Sequence, residues 1–395
     1  MNILVLSFYF EPDLSAGSFR NTALVKALDG LVPSGSQIDV ITTLPNRYSE
    51  YTVDAPLNER WGVTNVTRVQ LPKHNSGMLD QSKSFLFYAR AVQKATSDKR
   101  YDIVFASSSR LMTALLGSFI SKSLKTPLYL DIRDIFVDTI KDVLPSRVVW
   151  LLTPIFNLLE KLAINQAKHI NLVSGGFEEY FLDRYKNISL SFFTNGIDNE
   201  FLTNNILLDS NEISQAATTN IVYAGNIGEG QGLHQIVPQI AKILGSKVKF
   251  KIIGSGGRLE NLKRRIVTDG IKNIEILAPM NRADLIFEYQ KADVLFLHLN
   301  DYDAFKKVLP SKVFEYGAMG KPILAGVAGY AAKFIEEHID NAEVFPPCSV
   351  DQAILSVGKL VIKTEPRVGF IKQFTRKDIM EEMALDVISK AEVKS

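Results

Sequence analysis

The chain has 395 residues, enough for two domains at roughly 100–200 residues each. Its 45 Lys and Arg against 43 Asp and Glu give a net charge of +2, which excludes a polyanion-binding composition, so no nucleic-acid partner is expected. A single cysteine, Cys348, excludes an intrachain disulfide and fits a reducing cytoplasm, while five scattered histidines without His-x-x-x-His spacing give no metal-site signal.

The first apolar run, Ile3–Phe8, has no basic leader before it and meets Glu11 and Pro12 at once. It reads as a buried parallel strand rather than a signal peptide. Strands follow at Gln37–Thr42, Ile103–Ala106, Leu128–Asp131 and Ile170–Val173, separated by helices at Ser18–Leu28, Ser82–Ser97, Leu111–Leu124 and Val148–Gln166. The alternation then begins again. Asn220–Gly225 is a strand entering a glycine-rich turn, Leu233–Leu244 a helix, and Phe250–Gly254 a strand followed by Ser255-Gly256-Gly257. Further strands are read at Ile274–Leu277, Val294–His298 and Pro322–Ala325. Leu202–Thr219, polar and Asn/Ser-rich, reads as linker, and Val368–Glu392 is helical. No apolar run reaches the ~20 residues that span a bilayer.

The fold expected is α/β: two facing Rossmann-like domains with an interdomain cleft, ligands sitting beyond the carboxyl ends of the strands. Residues 1–198 are expected to form the first domain, 199–368 the second, and 369–395 a terminal helix with the option of crossing back to the first.

Four places carry the chemistry. Pro310 and Ser311 are helix-start residues, and a short helix over Lys312–Ala318 would offer free N–H groups and its dipole to an anion. Lys312 adds a point charge, and Glu315 one turn on can accept two ribose hydroxyls; the same two side chains can equally pair with each other at i,i+3. The turns at Gly225-Asn226 and Gly254–Arg258 allow close backbone approach, with Arg258 either an anion ligand or an exposed helix-start arginine. In the first domain Gly17 permits close approach and Ser18 can cap the helix. Asp131, Arg133 and Asp134 beyond a strand end are costly unless paired or solvated in a cleft. Arg133 can orient a substrate or stabilise negative charge, and either carboxylate can accept a proton; an Asp–Arg bridge fixing the loop is the other reading.

Pro310-Ser311-Lys312-Val313-Phe314-Glu315-Tyr316-Gly317-Ala318-Met319-Gly320-Lys321-Pro322 resembles the donor-site motif of glycosyltransferase family 4, of the GT-B class. It is most similar to the bacterial surface-polysaccharide branch that includes L-N-acetylfucosamine transferases. Thr194–Asp198, Ile221–Gly228, Ile252–Gly256 and Ala292–Val294 resemble other segments of that family in the same order. The resemblance implies that Glu315 holds the donor ribose and that Gly17, Ser18, Gly225, Asn226, Gly254, Arg258, Pro310, Ser311 and Lys312 line the donor site. It places Asp131, Arg133 and Asp134 as the catalytic turn beside the donor sugar. It further implies a UDP-sugar donor, no metal cofactor, and retention of anomeric configuration without a covalent enzyme intermediate.

Two departures stand out. Lys307 occupies the first position of the family's Glu-x7-Glu pattern, and Asn226 and Gln231 replace basic residues, so the charge must come from Lys312, Arg258 or Lys307. Asp301-Tyr302-Asp303 matches Asp-x-Asp but reads as a solvated acidic loop. Val148–Leu159, apolar and flanked by Arg147, Lys161 and Lys168, suits either the core or an interfacial helix. The function implied is transfer of a sugar, such as an N-acetylated deoxyamino sugar, from a UDP-sugar to a lipid-linked saccharide of a bacterial O-antigen, capsule or exopolysaccharide. The site would be cytoplasmic, with peripheral contact on the inner face of the plasma membrane. A non-catalytic nucleotide-sugar-binding partner and a nucleotide-sugar epimerase of the same fold are the alternatives.

Overall fold

The computed structural model describes residues 1–46, 54–72, 78–108, 111–135, 137–138, 146–203 and 218–392. The chain divides into two units, Met1–Asn195 with Arg376–Ser395, and Gly196–Thr375.

The first unit is a doubly wound sheet. In chain order it contains β1 (Asn2–Leu6), α1 (Ala16–Leu31), β2 (Gln37–Thr43), β3 (Asn58–Trp61), β4 (Thr64–Val69), α2 (Met78–Thr96) and β5 (Ile103–Ser108). It continues through α3 (Leu111–Leu124), β6 (Leu128–Ile132), α4 (Ser146–Gln166), β7 (Ala167–Leu172), α5 (Glu178–Arg184) and β8 (Leu190–Ser191). The strand order is β3-β4-β2-β1-β5-β6-β7-β8. All recorded pairings are parallel except β3–β4, a hairpin closed at Gly62 (φ +54°). Ile3, Leu4, Val5 and Leu6 are all fully buried, as a central strand covered on both faces requires.

The second unit runs α6 (Asn199–Thr203), β9 (Thr219–Ala224), α7 (Leu233–Leu244), β10 (Val248–Ile253), α8 (Leu259–Thr268), β11 (Ile274–Leu277) and α9 (Arg282–Lys291). After these come β12 (Val294–His298), α10 (Lys312–Ala318), β13 (Ile323–Gly326), α11 (Tyr330–His338), β14 (Ala342–Phe345), α12 (Val350–Val357) and α13 (Val368–Gln373). Its sheet is parallel, in the order β11-β10-β9-β12-β13-β14. Counted within the unit this is 3-2-1-4-5-6, with the strand order reversing between β9 and β12. Ligands of such sheets bind at that reversal, beyond the strand carboxyl ends.

Helix α14 (Arg376–Lys390) belongs to the first unit, where Met380, Met383, Ala384 and Val387 join the core of β1, β2 and α1. The expected divisions after 198 and 368 therefore fall after 195 and 375. The reason is packing: α13 stays with the second unit because the Phe370 ring lies against Gly317 and stacks near Phe314. The terminal helix is broken at Phe374-Thr375 rather than continuous. The expected linker, residues 202–219, lies mostly outside the described residues; its edges are α6 and the first residue of β9.

Candidate functional site

In the second unit, the turns after β9 and β10 close on each other. Gly225 (φ +153°) donates its N–H to Ile253 O at 2.9 Å, and Gly254 (φ +147°) donates to Leu277 O at 3.0 Å. A Cβ on Gly254 would lie 1.9 Å from the Gly225 carbonyl oxygen, so no other residue fits. Ile227 N–H donates to Ser255 O and Arg258 N–H to Ile227 O, both at 2.9 Å. These amides are spent within the protein, so Gly254 and the Arg258 amide build the turn rather than cradle an anion.

The side chains of this loop are engaged as well. Asn226 Nδ2 donates to Gln231 Oε1 at 2.9 Å, and Arg258 Nε is ion-paired with Glu229 Oε2. Glu229 Oε1 also accepts from the Tyr302 hydroxyl at 2.9 Å. Arg258, read from the sequence either as an anion ligand or as an exposed helix-start arginine, is therefore partly neutralised at Nε while its side chain stays 42% exposed. Underneath, the buried His298 ring holds the loop: Cys348 N–H donates to Nε2 at 3.0 Å, so Nδ1 carries the proton and donates to Gln231 O at 2.7 Å. Burial pushes the His298 pKa down to about 4, keeping the ring neutral.

Helix α10 begins where expected. Pro310, Ser311 and Lys312 are half-buried, while Val313–Gly320 are buried. Ser311 sits at the cap position in αR conformation and makes no side-chain cap bond. Backbone bonds start from Val313 N–H to Pro310 O and Phe314 N–H to Ser311 O, so the Ser311 and Lys312 amides are those an arriving acceptor atom would meet. Gly320 (φ +68°) follows the helix end, as read from the sequence.

Lys312 and Glu315 do pair, Nζ to Oε2 at 2.8 Å, with side chains 22% and 12% exposed. Lys312 Nζ also donates to the Tyr289 hydroxyl at 3.1 Å, and that hydroxyl lies 3.4 Å from Glu315 Oε2. Burial alone would depress the Lys312 ammonium, but the Glu315 carboxylate and the neighbouring tyrosines hold it above its ordinary value. An ammonium has three donors, and these two contacts leave one. The Lys312 Cε lies 3.5 Å from where a Gly225 Cβ would stand, so Lys312, Glu315 and the β9 turn meet at one place beside the strand-order reversal. Behind them Arg282 is ion-paired with Asp198 and lies over the Phe201 ring. Sequence reasoning missed Tyr289 and Arg282, because helix α9 carries no motif and only the fold brings it under α10. Asp301 and Asp303 are exposed, Asp303 pairing with Lys306 at 2.7 Å.

In the first unit Ser15, not Ser18, caps α1: its hydroxyl accepts from Ser18 N–H at 3.1 Å, while Ser18 itself is fully buried in the first turn. Arg133 packs over Gly17, its Nη1 only 2.0 Å from a Cβ position there, so a larger residue at 17 would require the guanidinium to move. Arg133 is half-buried with its Nε buried and without a hydrogen-bond partner; Asp134 is exposed.

Asp131 is different from its expected role. It is fully buried and accepts from Arg20 Nε at 3.0 Å and Nη2 at 2.9 Å, from Asn171 Nδ2 at 2.8 Å and from Ser107 Oγ at 3.3 Å. Burial would raise its pKa, but Arg20 beside it holds the carboxyl below its ordinary value. A saturated, ionised, sealed carboxylate is no proton acceptor for a substrate; it fixes the turn that carries Arg133. Its partner, Arg20, lies 111 residues earlier in the chain, a separation that no local motif spacing reveals.

Helix α4 divides the two readings of its segment. Ala163, Ile164 and Glu160 are buried, Glu160 accepting from the Tyr180 and Tyr185 hydroxyls at 2.9 and 2.7 Å. On the other side Trp150 is 80% exposed, with Ile155, Leu158 and Leu162 also exposed. Neighbouring α3 adds exposed Met112 and Phe119 and has no acidic residue. Among the described residues no helix is long and apolar enough to cross a membrane, and no cluster of His, Cys, Asp and Glu is arranged to hold a metal ion.

Residues 211–377 match the family profile described as Glycosyl transferases group 1. The chain is 30% identical over 141 residues to WcaI of Escherichia coli strain K12, named for a colanic acid biosynthesis glycosyl transferase, covering 36% of this chain and 33% of that protein. It is 28% identical over 103 residues to WbjE of Pseudomonas aeruginosa, named as a glycosyltransferase, covering 26% of each. The chain thus spans about a third and a quarter of these relatives. Among solved structures, sucrose-phosphate synthase from Thermosynechococcus elongatus superposes with a TM-score of 0.75 at 12% identity over 98% of both chains. Anabaena HepE in complex with UDP and glucose gives 0.68 at 16% identity over 98% of this chain and 100% of that one. At these identities the likeness establishes the fold, which is the α/β architecture of the GT-B glycosyltransferases.

Proposed function

We propose that the protein is a retaining glycosyltransferase that moves a sugar from a UDP-sugar to a lipid-linked saccharide in bacterial surface-polysaccharide synthesis. The observation that carries this reading is the meeting of Lys312, Glu315 and the Gly225 turn at the strand-order reversal of a unit whose sequence matches a glycosyltransferase profile. Glu315 is proposed to accept the two ribose hydroxyls. The third donor of Lys312 and the Ser311 and Lys312 amides are proposed to meet the diphosphate. Sugar transfer leaves negative charge on the departing diphosphate, and donors already in place stabilise it without reorganising. That arrangement is proposed to work without a metal cofactor. In the first unit Arg133 is proposed to orient the acceptor and Asp134 to be the carboxylate that takes its proton.

The relatives' names, colanic acid biosynthesis among them, and HepE's complex with UDP and glucose support a UDP-sugar and a polysaccharide product. An N-acetylated deoxyamino sugar is the donor proposed from the resemblance. A panel of nucleotides and nucleotide-sugars is expected to raise the melting midpoint with UDP and UDP-sugars and not with ADP or GDP, since a ligand of the native state stabilises it. Transfer of radiolabelled sugar to membrane lipid extract should follow. UDP binding without transfer, or conversion of the UDP-sugar alone to its epimer, would remove this reading.

A lipid-linked acceptor requires access to a membrane, and the exposed face of α4 with α3 is proposed to rest on the cytoplasmic surface of one. Trp150→Ser with Leu158→Ser is expected to lower co-sedimentation with anionic vesicles several-fold at an unchanged melting midpoint, because both side chains are exposed. Global unfolding of the variant would instead make the face part of the core.

A further inference from the structure

We infer that Tyr289 is a positioning residue for nucleotide binding, its hydroxyl stationing the Lys312 ammonium and the Glu315 carboxylate at fixed separation. The inference rests on the donor-site reading given above. Tyr289 comes from the last turn of α9, the helix that begins at Arg282. The residue is fully buried, its ring stacked near Phe201 at 6.3 Å and edge-on to Tyr316 at 5.3 Å. Packing thus fixes the ring, and the ring fixes the hydroxyl.

That hydroxyl accepts from Lys312 Nζ at 3.1 Å and points its own proton toward Glu315 Oε2, 3.4 Å away. Tyr316, on the helix that carries Lys312 and Glu315, accepts from Ala224 N–H at 3.2 Å, which ties the same cluster to the end of β9. Without the tyrosine hydroxyl, the Lys312 ammonium and the Glu315 carboxylate would have their directions set by their mutual contact at 2.8 Å and by surrounding packing. With the tyrosine, two of the three ammonium donors are committed in fixed directions, so the third is aimed. Burial and the Glu315 carboxylate hold the phenol well above its ordinary pKa, so it stays a neutral hydroxyl able to accept and donate at once.

The test is a double-mutant cycle on UDP affinity in the full chain, using Tyr289→Phe, Lys312→Gln and the pair. Tyr289→Phe keeps the ring and its stacking. It is expected to weaken UDP binding about tenfold, the size of one hydrogen bond to a charged group, and uridine binding less, by about threefold, because only the longer Tyr289–Glu315 contact of 3.4 Å bears on the proposed ribose site. In the Lys312→Gln background the same change is expected to weaken UDP by under about twofold. The ratio compares proteins carrying the same Tyr289 change, so any shared loss of folded fraction cancels. Equal losses in both backgrounds, or equal losses for UDP and uridine, would make Tyr289 a packing residue and overturn the inference. A Lys312→Gln protein binding UDP as the wild type does would overturn the donor-site reading itself, and the inference with it.

Discussion

Glu315→Gln is expected to lower UDP affinity about a hundredfold, because two hydrogen bonds from ribose hydroxyls to a carboxylate are each worth roughly 1.5 kcal/mol or more. The glutamine keeps the shape of a side chain that is only 12% exposed, so the loss is not one of packing. It removes the charge that Lys312 uses, Nζ lying 2.8 Å from the carboxylate, and that the proposed ribose contact would use. At a UDP concentration near a hundred times the wild-type Kd, stabilisation of about 2.7 kcal/mol is expected for the wild type and about 0.4 kcal/mol for the variant, read as the shift of the melting midpoint. A variant that responds as the wild type does would take the ribose away from Glu315.

The second large effect is structural. Asp131→Asn is expected to cost about 3–5 kcal/mol of stability at neutral pH, since it leaves the Arg20 guanidinium charged and buried without its counter-ion. Both side chains are fully buried, and Arg20 also holds the Phe193 and Thr194 carbonyls at 2.8 and 2.5 Å, just before Asn195, where the chain leaves the first unit. Arg20→Met should cost a similar amount, and the two together less than their sum, because neither orphan charge then remains. The sign with pH follows from the depressed carboxyl pKa: the stability is present above the ordinary value of 3.8 and is lost as pH falls through the lower folded value. Urea midpoints of wild type and Asp131→Asn should therefore converge at acid pH. A gap that stays constant from pH 7 to pH 3 would mean the ion pair is not what Asp131 contributes. Arg133, held against Gly17 by this turn, should keep its place only while the pair is intact.

Much of the fold was legible in the residues because each unit repeats one local rule. A short apolar run ending at a glycine, then an amphipathic helix, is a signal contained within about thirty residues, and Leu111–Leu124, Leu233–Leu244, Ile274–Leu277 and Val294–His298 were read to their ends. The β3–β4 hairpin and β14 were not read. Asn58–Trp61 and Ala342–Phe345 lie at or near sheet edges, half-exposed along most of their length, and so lack the continuous apolar run of a central strand.

The sequence by itself determined the two sheets, the glycine turns at Gly225 and Gly254, and the start of helix α10, because those depend on backbone conformation and on residues within one or two turns. Tertiary structure alone decided which charges are free to act. It buried Asp131 against Arg20, tied Arg258 to Glu229, and set Tyr289 between Lys312 and Glu315. A charge is spent or available according to what lies within about 3–4 Å of it, where its interaction is strong. Partners at that distance came from elements dozens of residues apart in the chain, a separation that carries no local pattern to read.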